Sequence, residues 1–150
     1  MTTILANTEH FGEVAARTIK DMFGAEVTDV TQSNERASVL TSKTFIVSIY
    51  YTGTVYGEYM LAMDEETAAG ICGIEEQIDD DNRDEIRESI CDAMAETLNT
   101  IVGEAIVRLQ ESHAKLTVTA PRIVFGEVRY PSFRTGSTTL STDSGEIECQ

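Results

Sequence analysis

The stretch Asp92–Ala105, DAMAETLNTIVGEA, lies at the centre of the longest run of helical periodicity in the sequence. Apolar residues recur at intervals of three or four from about Asp84 to Ser112, which predicts a long helix over that range. Its predicted core face consists of Ile86, Ile90, Met94, Thr97, Leu98, Ile101, Ala105 and Leu109. The helix is therefore expected to bury one broad side.

Two residues in this helix, Asn99 and Gly103, are poor helix formers. Glycine in a helix interior costs about 0.5–1 kcal/mol relative to alanine, and asparagine competes for backbone hydrogen bonds. With Asp92 and Glu96 they form a line within about 60° of arc, opposite the core face. We refer to these four residues as the stripe. A carboxylate, a carboxamide and an open position facing solvent predict a docking surface, unless Gly103 serves to let a neighbouring helix pack closely.

The N-terminal part of the chain predicts a helix followed by a strand. Helical spacing from Thr8, the expected N-cap, ends at Gly24, a residue suited to a helix stop. The spacing rests on Phe11, Val14, Ala15, Ile19 and Met22/Phe23. Residues 25–32 then have the pattern of a strand, and residues 33–37, SNERA, predict a turn.

Two hairpins are predicted further along the chain. Alternating residues in 45–51 and 55–64 indicate an antiparallel pair with its turn at Thr52–Gly53. A short helix capped by Asp64 follows. After the long helix, extended chain interrupted at Pro121 leads to a second hairpin that turns at residues 143–145.

The order helix, strand, hairpin occurs twice, which suggests an internal duplication of one α/β unit. Aligning the two helix exits gives an offset of about 87 residues, under which Glu96 falls on Glu9 and Asn99 falls on Gly12. No linker rich in Pro, Gly or Ser divides the chain, so residues 1–150 are expected to form a single domain.

The charge is strongly acidic, with 26 Asp and Glu against 11 Lys and Arg and a net charge of −15. Such a chain repels nucleic acid and anionic membranes and favours basic partners. The acidic run at residues 74–89 is interpreted as a solvated loop and helix start. No apolar run is long enough to span a bilayer and the N-terminus lacks signal-peptide features, so a cytoplasmic location is expected.

No metal or redox motif is evident. The three cysteines, Cys72, Cys91 and Cys149, are widely spaced and expected to be free thiols. His10 and His113 lack metal-ligand spacing, and nothing indicates a catalytic Cys–His pair. The run DDDNRDE lacks the glycine and terminal glutamate of a calcium-binding loop.

The spacing Asp92-x-x-x-Glu96-x-x-Asn99, followed by Gly103 and by Pro121 after 21 intervening residues, resembles the signature of the CheC/CheX/FliY family of chemotaxis phosphatases. The resemblance implies an α+β fold: a duplicated helix–strand–hairpin unit whose antiparallel-rich sheet packs against two long helices. Gly12 stands where the first half would carry a second Asn. That departure resembles the CheX branch, which keeps one site per chain and is typically a homodimer.

The resemblance also implies a function: removal of the phosphoryl group from the aspartate of a CheY-like response regulator. Glu96 would pair with the regulator's lysine, Asn99 would hold the attacking water, and Asp92 and Gly103 would contact the partner. No cofactor of its own is expected, because the regulator would supply Mg²⁺. The alternative is a non-catalytic acidic binding protein, either an inactive CheX relative or a dimer resembling a secretion chaperone.

Overall fold

The structure, a computed structural model, describes residues 2–41, 43–54, 56–112, 115–126 and 128–150, without the side chains of residues 2–7, 32–41, 112 and 128–135. Three helices and seven strands follow one another in the order α1 (Thr2–Phe23), β1 (Val27–Thr41), β2 (Phe45–Gly53), β3 (Gly57–Met63), α2 (Glu65–Ile71), α3 (Arg83–Ser112), β4 (Leu116–Val118), β5 (Arg122–Phe125), β6 (Val128–Thr142) and β7 (Gly145–Cys149).

All described strand pairs are antiparallel and belong to one sheet. The order is β1-β6-β7-β3-β2-β4, and β5 also pairs with β2. The first-half strands β1, β2 and β3 correspond to the second-half strands β4/β5, β6 and β7. When each strand is replaced by its counterpart, the strand order reads the same from the opposite edge of the sheet. The two halves of the chain are therefore arranged about a pseudo-twofold axis between β3 and β7, and this fits the duplicated unit expected from the sequence.

Helix contacts follow the same symmetry. The Arg17 guanidinium on α1 forms an ion pair with the Glu104 carboxylate on α3, and these residues are 87 positions apart. His10 Nδ1 lies 3.1 Å from Arg108 Nη1. From the first of these contacts to the second, the residue number falls on α1 and rises on α3. The two helices therefore run antiparallel. The offset of 87 thus brings equivalent residues of the two halves into contact near the axis.

The α3 helix begins at Arg83, inside the acidic run of residues 74–89. Asp79 Oδ1 accepts hydrogen bonds from the backbone N–H groups of Asp81 and Asn82, and Asn82 Oδ1 accepts one from the Asp79 N–H. The carbonyl of Asn82 then accepts the N–H of Ile86 at 3.0 Å. The acidic residues at this end therefore shape a local turn at the start of the helix, as predicted.

The core lies between the sheet and the helices. All eight predicted core-face residues of α3 are buried, and so are Phe11, Val14, Ala15 and Ile19 of α1. On β2, Phe45, Val47 and Ile49 face the helices, with Tyr51 partly buried. Ile46, Met60 and Ala62 form a smaller cluster on the opposite face. None of the helix stretches that the structure describes is both long and apolar enough to cross a membrane.

Most predicted boundaries agree with the structure. The β2/β3 hairpin, α2 with Asp64 at its N-cap, and the turn before Gly145 are all present. The interruption at Pro121 separates β4 from β5. Asp64 makes no capping hydrogen bond with its side chain, and β2 continues through Gly53 before the chain turns.

Two sequence predictions at the N-terminal end were wrong. Helix α1 begins at Thr2, so Thr8 is inside the helix and does not cap it. Residues 33–37 do not turn: they continue β1 and pair one by one with residues 133–137 of β6. Helix α1 does end at Phe23, and Gly24 adopts the positive φ of 67° that suits a helix stop.

Candidate docking site on helix α3

The stripe lies on the solvent side of α3. Asp92, Glu96, Asn99 and Gly103 are all exposed. The side chains that alternate with them on the core face are buried, so helix packing fixes the direction in which the stripe points. The structure therefore brings the four predicted residues together in one line on a surface open to a partner.

Gly103 has open space around it. A Cβ atom built at this position would have no neighbour within 4 Å among the described residues. Close packing of another helix is thus not the reason for a glycine here. The position instead leaves a shallow gap in the helix surface, one turn beyond Asn99.

The backbone beneath the stripe is supported by two threonines that bond back to their own helix. Thr97 Oγ1 donates to the Ala93 carbonyl at 2.7 Å, and Thr100 Oγ1 donates to the Glu96 carbonyl at 3.0 Å. These bonds satisfy both hydroxyls within the helix. The Asn99 carboxamide has no hydrogen-bond partner among the described residues, so its donor and acceptor groups are both available.

The two carboxylates of the stripe have no cationic partner among the residues whose side chains the structure describes. Among the described residues, ion pairs involve other acidic groups, such as Glu104 with Arg17 and Glu65 with Arg87. Asp92 and Glu96 remain available to a cationic group of a partner. Both carboxylates stand on the N-terminal side of Asn99, whereas Gly103 stands on its C-terminal side.

By interpolation between two contacts of α3 with the neighbouring strands, Pro121 lies near the level of Asn99. Two contacts set the register of α3 along the adjacent sheet edge: Arg87 over the Phe125 ring at 4.3 Å, and Gln110 Nε2 donating to the Leu116 carbonyl at 3.4 Å. Asn99 is midway between the two helix residues, and the break at residues 119–121 is midway between the two strand residues. After α3 ends, the chain reverses direction and returns along the helix as β4 and β5. The number of residues between Asn99 and Pro121 is thus the number needed to return to the level of Asn99.

The position of α1 that corresponds to Asn99 is closed in the described part of the chain. Under the offset of 87, Glu9 corresponds to Glu96 and is exposed, whereas Gly12 corresponds to Asn99 and is buried. A Cβ at Gly12 would come within 2.7 Å of Thr138 Oγ1 on β6. Elsewhere the two helices bury equivalent positions: Phe11, Val14, Ala15, Thr18 and Ile19 on α1, and Leu98, Ile101, Val102, Ala105 and Ile106 on α3.

Cysteine and histidine are not gathered into a site in the described part of the chain. Cys72 and Cys91 are partly buried and Cys149 is fully buried; all three are free. Burial raises the pKa of the Cys149 thiol to about 12, which keeps it protonated and unreactive. His113 lies outside the described residues, and no group of three His, Cys, Asp or Glu among those described could hold a metal ion.

One exposed residue on this face was not singled out from the sequence. Val107 follows Gly103 by four residues and is 61% exposed. The sequence does indicate its position, because a spacing of four residues after Gly103 continues the line of the stripe by one helical turn. The residues that predicted the stripe are polar or glycine, whereas a lone valine on a helix is usually assigned to the core.

The fold is shared with several solved chemotaxis proteins. CheX from Desulfovibrio desulfuricans aligns with a TM-score of 0.76 at 15% identity, covering 96% of each chain. The CheX chain of a CheX–CheY–BeF₃–Mg²⁺ complex from Borrelia burgdorferi aligns with a TM-score of 0.73 at 23% identity, covering 94% of this chain and 93% of that one. FliY from Thermotoga maritima gives 0.63 at 16% identity, with 96% and 88% covered.

No curated protein sequence matches the chain. The family assignment comes from a family model instead. Residues 45–142, about two thirds of the chain, match the model of chemotaxis phosphatase CheX. The matched range contains the whole of α3 and therefore all four residues of the stripe. The chain belongs to the CheX family of chemotaxis phosphatases.

Proposed function

We propose that the protein dephosphorylates the phospho-aspartate of a CheY-like response regulator through the stripe on α3. The observation that carries this proposal is the exposed line of Glu96, Asn99 and Gly103 on α3 of a CheX-family chain, in which the Glu96 and Asn99 side chains have no hydrogen-bond or ion-pair partner among the described residues. The Borrelia burgdorferi relative, solved together with CheY, supports a partner of this class.

In this proposal Glu96 docks the regulator. Its carboxylate pairs with the regulator's active-site lysine, one helical turn before Asn99. An ion pair formed at an interface that excludes water contributes more than one on a free surface. Asp92 flanks this contact, and the absence of a described cationic partner for either carboxylate fits such a role.

Asn99 acts on the reaction itself. The water oxygen attacks phosphorus, the bond between phosphorus and the aspartyl oxygen breaks, and inorganic phosphate leaves a free carboxylate. Phosphoryl transfer depends mostly on positioning and electrostatics. A carboxamide can accept a hydrogen bond from the water and donate one to a phosphoryl oxygen. Being neutral, it avoids the repulsion that a carboxylate would meet there.

No metal of this chain takes part in the proposed reaction. The Mg²⁺ that neutralises the phosphoryl oxygens would be held by the regulator. Removing Mg²⁺ with a chelator should therefore slow phosphate release without altering the free energy of unfolding of this protein, as measured by urea denaturation.

The decisive experiment measures phosphate release from CheY-like regulators of the source organism, phosphorylated with a small-molecule phosphodonor. Asn99→Ala should lower kcat at least about 100-fold, because the water loses its positioning group. Glu96→Ala should raise KM about tenfold or more. Matched controls are Gln110→Ala, an exposed carboxamide on the same helix, and Glu9→Ala, the first-half counterpart of Glu96; both should retain wild-type rates.

Full activity of Asn99→Ala would refute the catalytic role. A wild-type chain that binds an activated regulator without accelerating phosphate loss would instead identify an inactive CheX relative, the remaining form of the binding-protein alternative. We also propose that the protein is a homodimer, as is typical of the CheX branch. Light scattering coupled to size-exclusion chromatography tests this, and a monomeric mass at micromolar concentration would contradict it.

A further inference from the structure

We infer that Val107 extends the docking surface and contacts an exposed apolar side chain of the regulator, about 12 Å along the helix axis from the group that Asn99 engages. The distance follows from eight residues at about 1.5 Å each. This inference rests on the proposed function, because it names the partner through that site. It adds a residue outside the recognised signature and fixes the direction in which the partner lies.

The first observation is the exposure of Val107. At 61% it is the most exposed large apolar side chain on the described helix positions. A β-branched residue is not favoured on a solvated helix face, where alanine, lysine or glutamate would stabilise the helix more. A single exposed valine is common in proteins, so exposure alone assigns no role.

The second observation is its place in line with the stripe. Val107 lies four residues after Gly103 and eight after Asn99, within about 80° of arc of both. Beside Gly103 no described atom lies within 4 Å of a Cβ position. A partner loop that enters this gap next to Asn99 would therefore reach Val107 as its next contact.

The third observation is that the described residues of the chain leave most of Val107 uncovered. The same part of α3 contributes Val102, Ile106 and Leu109 to the core. The described polar contacts of this part of α3 with α1 are made by Glu104 and Arg108, which lie about 60° and 100° of arc from Val107. Burial of the exposed part of Val107 must come from another molecule if it is to contribute hydrophobic free energy.

The comparison with α1 points the same way. Under the offset of 87, the counterparts of Gly103 and Val107 are Ala16 and Lys20. The helix whose Asn position is buried carries an ordinary solvated lysine at this place, whereas the helix with the exposed Asn99 carries a valine. Of these two counterpart positions, the one on the helix with the exposed asparagine is therefore the one that carries an apolar residue.

The order of charged and apolar residues along the helix favours one orientation of the docked regulator. In the line itself, Asp92 and Glu96 stand at the N-terminal end and the uncharged Gly103 and Val107 at the C-terminal end, with the exposed Glu104 and Glu111 beside Val107. A partner that fits has a cation near its phosphoryl group on one side and an apolar side chain on the other. A regulator docked in the reverse direction would place its apolar side chain against the Asp92 and Glu96 carboxylates, which opposes binding.

The test uses a purified CheY-like regulator from the source organism, held in the active state with beryllofluoride and Mg²⁺ for calorimetry and phosphorylated for kinetics. Val107→Thr keeps the shape and replaces one methyl with a hydroxyl. It should weaken binding about three- to tenfold. Val107→Lys places on α3 the residue type that α1 carries at the counterpart position, Lys20. This variant should weaken binding of the regulator more than tenfold. In both variants KM should rise and kcat should stay within about twofold of wild type.

Val30→Lys is the matched control, since Val30 is also exposed (49%) but lies on β1, away from the stripe. Unchanged Kd and KM in both Val107 variants, with wild-type phosphatase activity, would overturn the inference and leave the proposed function intact. Weakened binding of a regulator that the wild-type protein does not dephosphorylate would support the docking contact and overturn the catalytic proposal. Absence of any regulator binding by the wild-type chain would overturn both.

Discussion

The two long helices of this protein are built alike and used differently. Helices α1 and α3 occupy equivalent places about the pseudo-twofold axis, contact each other through Arg17 and Glu104, and bury equivalent residues. They differ at several pairs of positions, and one of these bears on the candidate site: Gly12 is buried against Thr138, and Asn99 is exposed. The exposure of this position distinguishes the helix that presents the candidate site from its counterpart.

The difference shows what glycine does in each half. In α1, Gly12 allows the helix to approach β6, because any larger residue would meet the Thr138 side chain. In α3, Gly103 has no neighbour among the described residues, and its cost to helix stability has no compensation inside the chain. The same residue type thus serves packing in one helix and accessibility in the other.

The largest effect is expected from giving α1 the asparagine of α3. Gly12→Asn places a polar side chain where even a Cβ would lie 2.7 Å from Thr138 Oγ1. Overpacking of this kind should lower the free energy of unfolding by about 2–3 kcal/mol, measured by urea denaturation. No second phosphatase site should appear. A stable variant with twice the wild-type activity per chain would show that the two halves are interchangeable.

A smaller effect is expected one turn further along each helix. Gly103→Ala should raise the free energy of unfolding by about 0.5–1 kcal/mol, because the new methyl group meets nothing and the helix gains propensity. Ala16→Gly, the reverse change at the counterpart, should lower it by a similar amount. Thermal unfolding of both variants tests the pair. Destabilisation by Gly103→Ala would mean that this face is packed in solution.

The smallest effect is expected at the ion pair on the axis. Arg17 and Glu104 are about half exposed, so Arg17→Ala should cost less than about 0.5 kcal/mol. Because the positions are counterparts, the exchange Arg17→Glu with Glu104→Arg should restore the wild-type free energy of unfolding, while Arg17→Glu alone should lower it. Urea denaturation at low and high salt measures both. A double exchange no better than the single one would argue against equivalent positions.

The features that could be predicted from the sequence are those set by local periodicity. The 3.6-residue repeat placed the ends of α3 within one residue and identified its buried and exposed sides. Alternation in 45–51 and 55–64 predicted the β2/β3 hairpin. The positions of Asp92, Glu96, Asn99 and Gly103 on one exposed line followed from the same geometry.

The features that were missed depend on distant parts of the chain. Residues 33–37 are polar and resemble a turn, but pairing with β6, a hundred residues away, keeps them extended. The burial of Gly12 depends on Thr138, which no local pattern connects with it. Tertiary pairing overrides local preference in both cases.

The length of α3 has a consequence for the thermodynamics of recognition. The stripe stands on a helix of 30 residues whose other side is anchored in the core along most of its length. Little backbone entropy should therefore be lost when a partner docks, since the contacting groups are already ordered. Association should then be governed by encounter and orientation of the two molecules, with a small entropic penalty from this chain.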